Sequence, residues 1–224
     1  MSYSVKEIFL TIQGEGMQAG IPAVFLRFSG CNLWSGLERD RAAAICKFCD
    51  TDFIGTDGNN GGKFQTAEDL AQAVTQEWRG VGGQKWVVCT GGEPLLQLDT
   101  TLIAALHEAG FKVAVETNGT IKAPDGSERI DWLCVSPKAN APLVQTSGDE
   151  LKLVYPQNEN NPKDFEGLNF SIFSLQPRDD SFLSADMSAL KTHQSPHLKA
   201  VIEFCLSNPQ WRISLQTHKI MGID

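Results

Sequence analysis

Apolar runs of strand length recur along the chain at Ala23–Phe28, Lys85–Cys89, Lys112–Glu116, Trp132–Val135, Leu151–Tyr155, Phe170–Leu175 and Trp211–Leu215. Several are continuous rather than alternating, as strands buried on both faces tend to be. Helical patterning falls between many of them. Thr66 and Asp69 make a capping-box-like start, with Leu70, Val74 and Trp78 at helical spacing behind it. Leu102, Ile103 and Leu106 share one face of a helix over Leu98–Ala109, and Gly110 is a natural stop. Ser195 and Pro196 predict a cap and first-turn proline for a helix running to about Leu206. This alternation predicts a parallel sheet with crossover helices. A complete eight-unit barrel takes about 250 residues. The expectation is therefore an α/β fold: an incomplete, TIM-like barrel of about six parallel strands, in one domain over 1–224, open towards a ligand.

In such folds chemistry collects at the carboxyl ends of the strands. Arg27 ends the first run, Thr90-Gly91-Gly92-Glu93-Pro94 follows the second, and Glu116-Thr117-Asn118-Gly119 ends the third. Ser136-Pro137-Lys138 follows the fourth, Gln176-Pro177 the sixth, and Gln216-Thr217-His218-Lys219 the last. Each strand empties into a polar cluster at the same edge, which predicts one shared pocket.

Composition narrows the class. The 224 residues are 42% hydrophobic and 21% charged, with a formal net charge of -8 that disfavours a nucleic-acid surface. No apolar run approaches the roughly 20 residues of a membrane helix. Met1 to Glu7 lacks the charged-then-apolar pattern of a signal peptide. A cytoplasmic setting is expected, where thiols stay reduced and a cysteine cluster indicates metal or catalysis rather than disulfides.

Three of the six cysteines form such a cluster. Cys46 and Cys49 bracket Lys47 and Phe48, and Cys31 adds a third thiol across the intervening loop 32–45. Structural zinc normally takes four protein ligands. Three thiolates with no fourth cysteine or histidine nearby suit an iron–sulfur cluster with one iron left open. Cys89, Cys134 and Cys205 lie in apolar runs and are expected to be small buried hydrophobes. His107, His193 and His197 are expected at the surface, and His218 beside the pocket.

Gly91-Gly92-Glu93-Pro94 is the second motif, in which two glycines would let backbone approach a ligand closely. Together with the three cysteines it resembles the radical S-adenosylmethionine (SAM) superfamily. The usual spacing there is Cys-x3-Cys-x2-Cys; here it is Cys-x14-Cys-x2-Cys. The extra residues can loop out without moving the thiols, because loop-closure entropy grows slowly with length. A narrower series spans Phe9 to the C-terminus: Gln13-Gly14-Glu15-Gly16, Phe25-Leu26-Arg27, Cys49-Asp50-Thr51, Thr90 to Pro94, Glu116-Thr117, Val135 to Lys138, Leu175-Gln176-Pro177 and Gln216 to Lys219. That series is similar to the 7-carboxy-7-deazaguanine synthase family of queuosine biosynthesis.

The resemblance implies a [4Fe–4S] cluster on Cys31, Cys46 and Cys49, SAM on its open iron, and Mg2+ at Thr51. It places Phe48, Cys49, Asp50, Gly92, Glu93, Ser136, Pro137, Lys138 and Gln176 around SAM. It places Ile12, Gln13, Gly14, Glu15, Arg27, Thr90, Glu116, His218 and Asp224 around a 6-carboxy-5,6,7,8-tetrahydropterin, with Arg27 and Glu116 in the catalytic role. The implied reaction is a radical ring contraction that loses ammonia. The implied partners are a second copy in a homodimer and a flavodoxin- or ferredoxin-like electron donor. Arg27 ends a buried strand, where an unpaired cation is costly; either a substrate carboxylate or Glu116 would satisfy it. Two alternatives are set beside this reading: activation of a glycyl-radical enzyme, and a non-enzymatic zinc module using the same cysteines.

Overall fold

The computed structural model describes residues 2–125, 129–179 and 195–223. Nine strands form one sheet in the order β3-β1-β2-β4-β5-β6-β7-β8-β9. They are β1 (Tyr3–Ile12), β2 (Pro22–Phe28), β3 (Gly62–Phe64), β4 (Lys85–Gly91), β5 (Phe111–Thr117), β6 (Trp132–Val135), β7 (Ser147–Tyr155), β8 (Asn169–Pro177) and β9 (Trp211–Ile213). From β2 through β9 every neighbouring pair is parallel. Only β1 against β2 and β3 against β1 are antiparallel. All seven predicted runs are strands, and they form the parallel part.

The two edge additions were not legible in the periodicity. β1 is interrupted by a register shift between Val5 and Glu7, which breaks its alternation. Lys6 is carried inward by that irregularity and satisfied by Asp52, Asp57 and the Ile54 carbonyl. β3 has only three residues.

The helices are α1 (Ala67–Glu77), α2 (Thr100–Glu108), α3 (Pro196–Ser207) and α4 (Thr217–Met221). Thr66 caps α1 by accepting from the Asp69 N–H. Asp99 caps α2 by accepting from Leu102 N–H, and Gly110 at φ 83° follows its end. Ser195 precedes Pro196 as expected but makes no side-chain cap bond. No helix among the described residues is long and apolar enough to cross a membrane.

One periodicity places the site. In each central strand alternate residues bury against α1, α2 and α3: Val24 and Leu26, Val87 and Cys89, Val113 and Val115, Leu151 and Leu153. They meet Leu70, Val74, Leu102, Ile103, Leu106 and Val201 in one apolar core. Full burial of each such leucine or isoleucine contributes roughly 1.5–3 kcal/mol. The intervening residues face the other way. They are apolar low in the sheet, at Ala23, Val88 and Ala114, and become polar near the carboxyl ends, at Arg27, Thr90, Glu116, Lys152 and Gln176. The strands looked continuous because both faces are apolar until the last residues.

Candidate active site

Two adjoining cavities occupy that polar edge, of about 200 and 300 Å3. Glu15, Asp50, Thr51, Thr90, Glu116 and Gln216 form their common wall. The smaller holds all three cysteines of the motif with Phe48, Gly92, Ser136, Lys138 and Gln176. The larger holds Ile12, Gln13, Gly14, Arg27 and His218. The expected SAM and substrate residues fall into two neighbouring compartments, with Asp50, Glu15, Thr90 and Glu116 in the wall between them and Glu93 lining neither. Pro137 is buried and lines neither cavity, and Asp224 falls outside the described residues.

The thiols are delivered by two segments. Cys31 follows Gly30, whose carbonyl accepts from Glu93 N–H and whose N–H donates to the Phe53 carbonyl. Burial raises the Cys31 thiol pKa. The proximity of the Cys46 and Cys49 thiols lowers the Cys49 pKa and raises that of Cys46. Among the described residues no group of three or more His, Cys, Asp or Glu side chains is placed to hold a single metal ion. The three thiols instead share the wall of one cavity, which carries no fourth cysteine and no histidine among those residues. That donor set fits an iron–sulfur cluster with one position free of protein.

Loop 32–45 forms a closed excursion. The Leu33 carbonyl accepts from both Ile45 N–H and Cys46 N–H, at 3.1 and 3.4 Å, so the insertion ends where it began. Its centre is a short 3-10 turn, Glu38–Ala43.

The Gly91-Gly92 pair lines the thiol cavity and is also needed for close backbone packing. A Cβ on Gly92 would lie 2.6 Å from the Gly30 carbonyl carbon and 2.7 Å from Cys31 Cβ. Gly91, at φ 136°, presses equally closely on the backbone of Phe28. The glycines let the end of β4 pack against the end of β2 and the Gly30–Cys31 segment that follows it. Glu93 is likewise turned inward. Its carboxylate, fully buried, accepts from Leu95 N–H, Thr117 hydroxyl and Asn118 N–H at 2.7–3.0 Å. Burial raises its pKa, and these donors partly offset that. The side chain expected at SAM thus braces the end of β5.

Arg27 does not pair with Glu116. Its Nε donates to Glu7 Oε1 at 2.7 Å, and its guanidinium lies 5.9 Å from the Phe9 ring, which stacks on Phe25. Glu116 pairs with Lys152 instead, at 3.0 Å, and Lys152 also binds Glu15 at 2.8 Å. Gln176 and Gln216 donate to the other oxygen of Glu15. Burial alone would raise the Glu15 carboxyl, but the adjacent ammonium and these donors hold it at about 2. Burial raises Glu116, only partly countered by Lys152. Burial would lower Lys152, yet its two carboxylate neighbours hold it well above its ordinary value. Lys152 was missed in the sequence although a lysine inside an apolar strand is itself a signal, since burying an unpaired ammonium is prohibitive.

The remaining expected residues are also engaged. Gln13 Oε1 accepts from Glu15 N–H. A Cβ on Gly14 would come within 2.7 Å of the His218 Cβ, so the bare glycine lets α4 dock; Thr217 donates to the Gly14 carbonyl through N–H and hydroxyl. Burial lowers His218. Asp50 pairs with Lys219 at 2.7 Å, and Lys219 with Asp179. Lys138 donates to the Ser136 carbonyl and hydroxyl. His107 and His197 are not plain surface residues: one pairs with Asp131 and the other with the Arg178 carbonyl. His193 falls outside the described residues. Cys89 and Cys134 are buried as expected, and Cys205 is half-buried. Cys134 abuts Glu116.

A mostly parallel open sheet that gathers three thiols and a carboxylate–lysine cluster at one edge defines an α/β enzyme with two coupled compartments. Comparison makes this specific. The chain is 61% identical over 223 residues to the 7-carboxy-7-deazaguanine synthase of Caulobacter vibrioides, 55% to that of Bradyrhizobium diazoefficiens and 52% to that of Nitratidesulfovibrio vulgaris, each covering both chains completely. The crystal structure of QueE from Escherichia coli superposes with a TM-score of 0.67 at 26% identity, covering 96% of this chain and 94% of that one. No family model matches the chain. The chain belongs to the 7-carboxy-7-deazaguanine synthase family.

Proposed function

We propose that this protein is a radical SAM synthase that converts 6-carboxy-5,6,7,8-tetrahydropterin to 7-carboxy-7-deazaguanine with loss of ammonia, in queuosine biosynthesis. The observation that carries this reading is the wall shared by the thiol-lined cavity and the Arg27 cavity. A reaction started in one compartment can act on a molecule held in the other. The larger cavity reaches only the lower end of small-molecule sites, which suits a bicyclic substrate and not a protein segment.

Cys31, Cys46 and Cys49 would hold the [4Fe–4S] cluster, with SAM beside it against Phe48, Gly92, Ser136 and Lys138. When bound, that pair supplies a 5′-deoxyadenosyl radical able to take a hydrogen from carbon. Phe9 and Phe25 offer an apolar stacked face in the larger cavity, and Arg27, anchored at Nε by Glu7, presents its remaining donors to a substrate carboxylate. Gln13 and His218 border the same space and would orient the heterocycle. Glu116 faces both cavities, and burial makes it easier to protonate than a free glutamate. It would give or take a proton as the amine leaves. Thr51 offers a hydroxyl for Mg2+ together with substrate oxygens and water.

The sheet is read as an incomplete barrel in one domain over 1–224, with loop 13–16 after β1 reaching across to Lys152, Ser214 and Gln216. A cytoplasmic homodimer reduced by a flavodoxin- or ferredoxin-like donor, with Asp224 at the substrate, completes the proposal. The test is anaerobic reconstitution with iron and sulfide, then incubation with SAM, Mg2+, reductant and carboxytetrahydropterin. Ring-contracted product by mass spectrometry is expected. A loaded cluster that cleaves SAM but yields no such product would overturn the substrate assignment.

A further inference from the structure

Loop 32–45 is more than a tolerated insertion. Arg41, in its 3-10 turn, sends Nη1 to the Lys47 carbonyl at 3.1 Å and to the Cys49 carbonyl at 3.0 Å. These acceptors lie inside the Cys46–Cys49 segment, which belongs to no helix or strand. The Arg41 side chain is 14% exposed. Both oxygens of the largely exposed Glu38 carboxylate accept from its Nε, at 2.7 and 2.9 Å. Its carbon centre lies 4.1 Å from the Trp34 ring centroid. Trp34 is buried, donates to the Leu37 carbonyl and packs edge-on against Phe53 at 5.6 Å. One cation thus links the start of the insertion, its turn and the segment carrying two of the three thiols.

We propose that Arg41 is a positioning residue for the cluster: through Trp34 and Glu38 it sets the path of Cys46–Cys49 and so the spacing of Cys49 from Cys31. The longer Cys-x14-Cys spacing is then matched by a brace that the insertion itself supplies. A planar fork seated on an aromatic ring can hold two carbonyls in a fixed relation; a lysine ammonium lacks that geometry. Partners that orient metal ligands commonly change affinity by about 10–100-fold when removed.

This inference rests on the cluster assignment above, and the experiment separates the two. Wild type, Arg41→Ala, Arg41→Lys, Glu38→Gln and Cys49→Ser are reconstituted anaerobically. Iron and sulfide content, cluster loss to a chelator, and the electron paramagnetic resonance signal with and without SAM are recorded. Expected is about 10-fold or faster cluster loss in Arg41→Ala. Arg41→Lys and Glu38→Gln should be intermediate, with kcat lowered and KM for the pterin unchanged. The SAM-dependent change in the resonance signal should broaden in the same order. If Arg41→Ala does not fold, Arg41→Lys and Glu38→Gln decide on the same readouts. Wild-type retention and resonance in both would overturn the role of Arg41. A wild type that takes up no cluster, or a Cys49→Ser that holds one normally, would instead overturn the cluster assignment.

Discussion

Lys152, not Arg27, is the cation that meets Glu116: Nζ and Oε2 lie 3.0 Å apart inside the sheet, with the lysine side chain only 5% exposed. The same ammonium holds Glu15 at 2.8 Å, so one buried charge serves the carboxylates of both β5 and the loop after β1. Removing it leaves two carboxylates facing each other in a poorly solvated space. Lys152→Met is expected to destabilise the fold by about 3–5 kcal/mol, the usual cost of breaking a buried pair from one side. Urea unfolding measures this. A loss below about 1 kcal/mol, the level of an exposed pair, would mean the cluster is solvated.

The same cluster sets a pH dependence with opposing contributions. Glu15 falls from an ordinary 4.5 to about 2 in the folded protein, so its contribution is present above 4.5 and is lost as pH drops towards 2. Its size is on the order of 3 kcal/mol, at about 1.4 kcal/mol per tenfold change in proton affinity. Glu116 is raised and acts in the opposite sense, favouring the fold as pH falls through its folded value. Lys152 is raised, so its contribution is complete below 10.5 and lost only above its folded value. Glu116→Gln should therefore remove the gain in stability that comes as pH falls towards 4.5 from above, and Glu15→Gln should flatten the decline between pH 4.5 and 2. Thermal midpoints across pH 2–6 check both; parallel curves for the three proteins would refute the assignment.

Gly92 tests the packing account of the glycine pair. Gly92→Ala forces a methyl against the Gly30 carbonyl carbon and Cys31 Cβ, at 2.6 and 2.7 Å. The backbone must move at the residue that carries the thiol. A loss of about 1–3 kcal/mol is expected from the strain, as for overpacked sites. Reduced iron uptake should accompany it. Were the glycines needed only for ligand approach, Gly92→Ala would keep wild-type stability and iron content and lose only SAM affinity.

Most of the frame was legible in the chain, because apolar runs and helical spacing report burial directly. All seven parallel strands, the Thr66 cap and the Gly110 stop come from that pattern. The polar residues at the strand ends line two cavities because parallel strands share a carboxyl edge. What could not be read is pairing across the sheet. Which carboxylate meets Arg27 depends on the antiparallel register that sets Glu7 beside it, and β1 itself is masked by its irregularity at Lys6. Whether Glu93 faces a ligand or Thr117 depends on the direction of one side chain, which spacing does not encode.

The Arg27–Glu7 pair gives a prediction that distinguishes anchoring from contact. Glu7 occupies Nε, which leaves the terminal nitrogens of the fork for a ligand. Under the proposed function, Arg27→Ala removes a charge-assisted pair worth about 1.5–3 kcal/mol, and KM for the carboxytetrahydropterin should rise by about 10–150-fold. Arg27→Lys should recover little, because an ammonium cannot reach Glu7 and a carboxylate in the same plane. Glu7→Gln keeps a hydrogen bond but weakens the anchor, so its effect should be smaller and of the same kind. A substrate analogue lacking the carboxylate makes the decision: it should bind wild type and Arg27→Ala with similar affinity. If the analogue discriminates between the two proteins as strongly as the acid does, Arg27 acts through the fold of β2 and not through the substrate.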